Sequence, residues 1–224
     1  ASDSVDSVLN NVMTDQDLPT LGTLVDDIEK SGKGLIMFMG KGGVGKTTMA
    51  AAVATELAAR GHEVLLTTTD PAAHVTETLG GEETSLTVSR IDPEQETARY
   101  RNDVMATKGK DLDEQARAML EEDLRSPCTE EIAVFQAFSR VIRKSSKQFV
   151  VMDTAPTGHT LLLLDATGSY HRDIVRHTGD KLGKMVTPMM RLQDPEQTKI
   201  MIVTLPETTP VLEAAALQND LQRA

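Results

Sequence analysis

A chain of 224 residues with 39% apolar side chains is long enough to bury a sizeable core, which excludes a disordered polymer. A net charge of −11 argues against a broad DNA-binding face or an anionic membrane surface, and only 3% aromatic residues argue against stacking platforms for single strands. One cysteine excludes an internal disulfide framework and a multi-thiolate metal site built by this chain alone, and it suits a reducing compartment.

In chain order, Ala1–Thr20 is rich in Ser, Asp and Asn and reads as a linker or processed start, ahead of a domain over 21–224. Leu35–Met39 is a short apolar run ending at glycine, which suits a buried parallel strand. The alanine-rich Thr47–Arg60 predicts a helix that stops at Gly61. Glu63–Thr69 predicts a second strand, Pro71–Leu79 a short helix and Leu86–Ile91 a third strand. The charged stretch 93–144 reads as a helical insertion forming a layer above the sheet, with breaks near Gly109 and Ser126-Pro127. Gln148–Thr154 predicts a strand. Helical segments then follow from His159, interrupted at Gly168, Gly179, Gly183 and Pro188. Lys199–Leu205 predicts a last strand and Thr209–Arg223 a closing helix. Alternation of this kind implies an α/β fold, a mainly parallel sheet with helices on both faces. There is no basic leader, and the longest aliphatic stretches, Leu35–Met39 and Leu161–Leu164, fall far short of the roughly 20 residues of a membrane helix. The chain therefore reads as soluble and cytoplasmic.

The sharpest signal is Gly40-Lys41-Gly42-Gly43-Val44-Gly45-Lys46-Thr47-Thr48, which fits the phosphate-loop pattern G-x-x-x-x-G-K-[ST] between a predicted strand and a predicted helix. Its glycines let the backbone wrap closely with N–H groups aimed at phosphate oxygens, and the following helix adds its positive end. Lys46 suits the β- and γ-phosphates of ATP, and the Thr47 hydroxyl suits Mg²⁺. Asp153 closes the apolar strand Phe149–Met152, where a P-loop enzyme carries its Mg²⁺ carboxylate; the competing reading is a cap for the next turn. Asp70 closes the second strand, where it suits the attacking water or Mg²⁺, or else caps the Pro71 helix. Gly158 would let the backbone approach the γ-phosphate. Lys41 is not required by the general pattern and by itself reads as a solvated loop lysine.

The GKGGVGKT form resembles the deviant Walker A loop of a dimeric P-loop class. Thr68-Thr69-Asp70-Pro71-Ala72-Ala73-His74 and Asp153-Thr154-Ala155-Pro156-Thr157-Gly158-His159-Thr160 resemble the two switches of the arsenite/tail-anchored-protein targeting ATPase family. Gly34–Met37, Leu124–Glu131 and Leu161–Gly168 resemble its arsenite-pump branch, and the similarity runs from about Leu18 to the end, matching the C-terminal half of a two-half ATPase. The resemblance implies ATP hydrolysis stimulated by arsenite or antimonite and coupled to efflux. It implies a membrane arsenite carrier, an arsenic metallochaperone and a second ATPase half or a homodimer partner, with no nucleic acid. The protein would then work in the cytoplasm, peripheral to the inner membrane through the carrier. The resemblance also implies that Lys41 reaches the partner's nucleotide. It further implies that the chain stops short of the strand that holds adenine, leaving that pocket incomplete.

The same resemblance makes Cys128, with Ser126 and His159, this half's metalloid ligands, and soft trivalent arsenic prefers thiolate. Taken alone, Cys128 reads as a small buried hydrophobe, Ser126 as a helix cap and His159 as a switch-loop hydrogen-bonding group. Because His159 follows Asp153 closely, metalloid binding there offers a route to the Mg²⁺ side. His62, His171 and His177 have no such context and read as surface residues. An alternative function is the targeting of tail-anchored membrane proteins, with 93–144 as a hydrophobic groove. Met105, Met119, Leu120 and Leu124 lie there among many charges, which makes a thin groove. A partitioning ATPase and a non-hydrolysing scaffold are weaker readings, given the acidic charge and the two switch aspartates.

Overall fold

The computed structural model describes residues 19–69, 85–155, 164, 167–168 and 186–223. Five strands form one sheet: β1 (Gly34–Met39), β2 (Val64–Thr68), β3 (Leu86–Arg90), β4 (Phe149–Asp153) and β5 (Thr198–Ile202). Their order is β3-β2-β4-β1-β5, and every pairing is parallel. The expected α/β architecture is therefore present. The three inner strands are buried along their whole length, as strands covered on both faces must be, while β3 and β5 at the edges are only partly buried.

Side-chain alternation divides the core into two layers. Ile36, Phe38, Val64, Leu66, Phe149 and Val151 face α1 (Leu21–Glu29) and α2 (Lys46–Ala59), meeting Val25, Ile28, Val53 and Leu57. Ala50, Ala51, Ala54 and Ala58 of α2 are buried, and such small side chains let the helix lie close on the sheet. Leu35, Met37, Met39, Leu65, Val150 and Met152 face the other way. They meet Ala137, Phe138, Val141 and Ile142 of α5 (Pro127–Lys144) and Leu217 of α7 (Thr208–Arg223).

The helix α1 is absent from the sequence reading. Thr20 caps it by accepting from the Thr23 N–H at 3.3 Å, and Leu21, Leu24, Val25 and Ile28 supply one apolar stripe. The end of α1 is fastened to the end of α2: Arg60 bonds Asp26, Glu29 and Glu56, and His62 Nε2 lies 2.7 Å from Glu29 Oε1. These hydrogen bonds, His62 first and Arg60 next, hold the Glu29 carboxyl below its ordinary range. His62 is thus half-buried rather than a surface group, with its ring edge-on to Phe149.

The stretch read as an insertion divides in three. The helices α3 (Pro93–Thr107) and α4 (Glu114–Asp123) are capped by Asp92 and Asp113. α3 packs on α5, and α4 buries no residue. α5 lies directly on the sheet as part of the core, so this last third is a main structural layer. A short helix α6 (Pro188–Leu192), capped by Thr187, precedes β5. β5 also stops earlier than its apolar run suggests. Its partner β1 ends at Met39, and the Val203 N–H donates to the Met39 carbonyl as the last rung, at 2.8 Å. Among the described residues no helix is long and apolar enough to cross a membrane. The expected Pro71 helix and most of the expected helices from His159 to Gly183 lie outside the described residues.

Candidate nucleotide site

The parallel register sets the site. Thr68 of β2 pairs with Asp153 of β4, and Asp153 with Phe38 of β1, so these residues form one row at the carboxyl ends of adjacent strands. In open α/β sheets this is the edge at which ligands are held. β1 then leads directly into the phosphate loop. Gly40 has φ +143°, and a Cβ there would lie 2.3 Å from the Val203 carbonyl oxygen, so only hydrogen fits where the loop leaves the sheet. Gly45 has φ +97° and precedes the first turn of α2 as its N-cap. It offers that turn no side-chain acceptor, the arrangement in which an anion takes the capping place.

Lys46 is only 6% exposed, and its Nζ donates to the Lys41 carbonyl at 2.9 Å, which keeps the ammonium inside the arc of the loop. Val44 is buried, while Gly42, Gly43 and Thr48 lie at the surface. Thr47 Oγ1 donates to Asp153 Oδ2 at 2.8 Å, and Thr68 Oγ1 lies 3.4 Å from the same oxygen. Asp153 is 1% exposed. A hydroxyl and a carboxylate oxygen side by side at the head of a phosphate loop are hard donors of the kind Mg²⁺ takes, so the residues present fit that ion. Next to Asp153, Thr154 is tied back to β1, its Oγ1 donating to the Phe38 carbonyl at 2.7 Å. The Thr69 N–H donates to the Asp153 carbonyl and Thr69 Oγ1 accepts from the Ala155 N–H, both at 3.0 Å, which joins the exits of β2 and β4.

A recess of about 660 Å³ opens beside the loop, lined by Val44, Gly45, Thr48 and Met49 on one side and Ile202, Val203 and Thr204 on the other.

The structure thus brings together Gly40, Gly42, Gly43, Val44, Gly45, Lys46, Thr47, Thr48 and Asp153. Lys41 is also on the loop, but its side chain turns to α7 of its own chain, Nζ lying 3.0 Å from Glu213 Oε1. Asp70, Gly158 and His159 lie outside the described residues. Cys128 is exposed in the first turn of α5, and Ser126 caps that helix, its Oγ accepting from the Cys128 N–H at 3.3 Å. Among the described residues no cluster of three or more His, Cys, Asp and Glu side chains suits a metal ion. Sequence reasoning did not assign Thr68, Thr69, Thr154 or Glu213. The three threonines carry a signal, hydroxyls at the ends of otherwise apolar strands. Glu213 carries none, being 172 positions from its partner.

Residues 33–192 match the family model described as anion-transporting ATPase. The chain is 69% identical over 208 residues to an arsenical pump-driving ATPase of Escherichia coli, covering 93% of this chain and 36% of that protein. It is 67% identical over 217 residues to an Acidiphilium multivorum protein of the same name, covering 97% and 37%. Similarity extends at 28% identity over 247 residues to ATPase GET3B of Arabidopsis thaliana, covering 84% of this chain and 60% of that protein. The chain spans about a third of the length of the two arsenical pump relatives. The matched region begins just ahead of β1, encloses the phosphate loop and Asp153, and ends with α6; the chain belongs to the anion-transporting ATPase family.

Proposed function

We propose that this chain is a nucleotide-binding half of an ATPase that hydrolyses ATP to drive efflux of arsenite or antimonite through a separate membrane carrier. The observation that carries the reading is the Thr47–Asp153 hydrogen bond at the head of a loop already shaped for phosphate. Lys46 and the first amides of α2 would bind the β- and γ-phosphates, and the recess beside Thr48 gives the nucleoside room. Thr47 and Asp153 would hold Mg²⁺, with Asp70 at the end of β2 serving the ion or the attacking water. When bound, the ion neutralises charge on the transferring phosphoryl group. Gly158 would approach the γ-phosphate.

The partner is a second ATPase half or a second copy of this chain, to which Lys41 would extend. Cys128 is this half's thiolate for the metalloid, placed by the Ser126 cap and joined by His159. Its exposure supports that role, since a thiol shared between halves must be reachable. One thiol cannot satisfy trivalent arsenic, so the remaining ligands come from the partner. A metallochaperone would deliver the metalloid, and the chain would act peripherally at the inner membrane through the carrier. Tail-anchored-protein targeting has less support. The similarity to ATPase GET3B is much lower, and α4 offers scattered apolar side chains rather than a groove.

The test is phosphate release against arsenite concentration, with and without the N-terminal half. Stimulation that needs both halves and disappears in Cys128→Ser supports the reading. An arsenite response unchanged in Cys128→Ser would sink the metalloid assignment, and hydrolysis by Lys46→Ala at the wild-type rate would sink the loop assignment.

A further inference from the structure

The phosphate loop has two lysines, and in this structure both are engaged through one residue. Lys46 Nζ is held by the Lys41 carbonyl at 2.9 Å, and Lys41 Nζ is held by Glu213 at 3.0 Å. We propose that Glu213 is a positioning residue for Lys41: it holds the Lys41 ammonium on α7 in the resting chain, and the lysine must leave Glu213 before it serves a nucleotide. The proposal rests on the nucleotide reading given above and adds to it the group that sets where Lys41 waits.

Three observations carry it. Glu213 is placed by the core rather than by chance at the surface. Pro210 and Leu217, three positions before it and four after, are both buried, so Glu213 lies on the face of α7 that turns toward the body of the protein. The root of the loop is also closely packed, because Gly40 sits beside the Val203 carbonyl with no room for a Cβ. Between these two points the Lys41 side chain is the free joint, a long flexible stem flanked by Gly40 and Gly42. The pair is also half-exposed, with side-chain exposures of 45% and 47%. A pair of that kind is weak enough to exchange for a phosphate and strong enough to set the resting position.

Charge gives the expected sign. While paired, Lys41 contributes little positive potential; once Glu213 is neutralised, its full charge acts on phosphate bound at this loop or, where two copies pair, at the partner's loop. The experiment measures the affinity of the full chain for a fluorescent ATP analogue in wild type, Glu213→Gln, Lys41→Ala and the double variant. Glu213→Gln tightens binding about threefold at low salt, and the gain fades at high salt. In the Lys41→Ala background the same change alters affinity by less than about 1.5-fold, because the group it restrained is gone. Equal tightening in both backgrounds would overturn the proposal, since Glu213 would then only repel phosphate. Unchanged affinity in Glu213→Gln would overturn it as well. A second readout needs no nucleotide. The acylation rate of the Lys41 amine, read by mass spectrometry, rises in Glu213→Gln, and equal rates would show that no restraint exists. Wild type that binds no nucleotide while Lys41 labelling responds would instead sink the nucleotide reading, so the two failures are distinguishable.

Discussion

The phosphate loop and the start of α5 are both helix N-termini, and they are built in opposite ways. At the loop, Gly45 leaves the capping place of α2 to a ligand, and the functional groups behind it are buried: Lys46 at 6% and Asp153 at 1% exposure. Each has partners from at least one other element of the same chain. At α5 the capping place is filled by Ser126, and Cys128 is exposed in the first turn. On the reading proposed above, the first region holds phosphate and Mg²⁺ with groups that this chain supplies. The second presents one thiol outward, which is useful only if another surface brings more. On that reading, a chain spanning about a third of its relatives' length carries a phosphate cradle and contributes a fraction of a metalloid site.

Substitutions at four positions would break or sharpen that contrast. Lys46→Ala should have the largest effect, lowering ATP hydrolysis by about a thousandfold, read by phosphate release, because the charge that faces the phosphates is removed from a low-dielectric loop. Gly40→Ala comes next. A Cβ 2.3 Å from the Val203 carbonyl, at a positive φ, should cost about 3 kcal/mol, read from the urea midpoint. A wild-type midpoint would mean that the loop root is less constrained than its packing indicates. Ser126→Ala should cost about 1 kcal/mol by removing the cap, and Ser126→Asp should recover it. Persistence of arsenite stimulation in Ser126→Asp would confine Ser126 to capping. The smallest effect on the chain itself is expected for Cys128→Ser, within about 0.5 kcal/mol in stability, because the side chain is exposed. A stability loss of several kcal/mol would show Cys128 to be a packing residue and erase the contrast between the two regions.

The parts of the molecule legible in the sequence are those fixed by local rules. Short aliphatic runs gave the inner strands to within a residue or two, because strands buried on both faces have no polar alternation to confuse the reading. The loop glycines were legible because their backbone demands are specific. α1 was overlooked because its stripe of Leu21, Leu24, Val25 and Ile28 adjoins a polar lead-in. The length of β5 was overestimated because a strand ends where its partner ends, and Val203–Leu205 runs past Met39. The layering of 93–144 was only partly legible. Charge made the whole stretch read as an outer insertion, while Ala137, Phe138, Val141 and Ile142 place α5 in the core. The pairing of Lys41 with Glu213 could not be read, since no pattern along the chain joins residues 172 positions apart.

The close approach of Gly40 to Val203 has a consequence for hydrogen exchange. The Met39 carbonyl accepts the last rung from β5, and Gly40 then lies against the carbonyl of the same residue, Val203. The root of the loop should therefore belong to the same cooperative unit as β1 and β5, at whose paired ends it sits. Its amides should open only with the sheet, while those of Gly42 and Gly43, exposed at the tip, open locally. A loop divided in this way has a packed root and an exposed tip, and both come from the spacing of glycines along six residues of backbone.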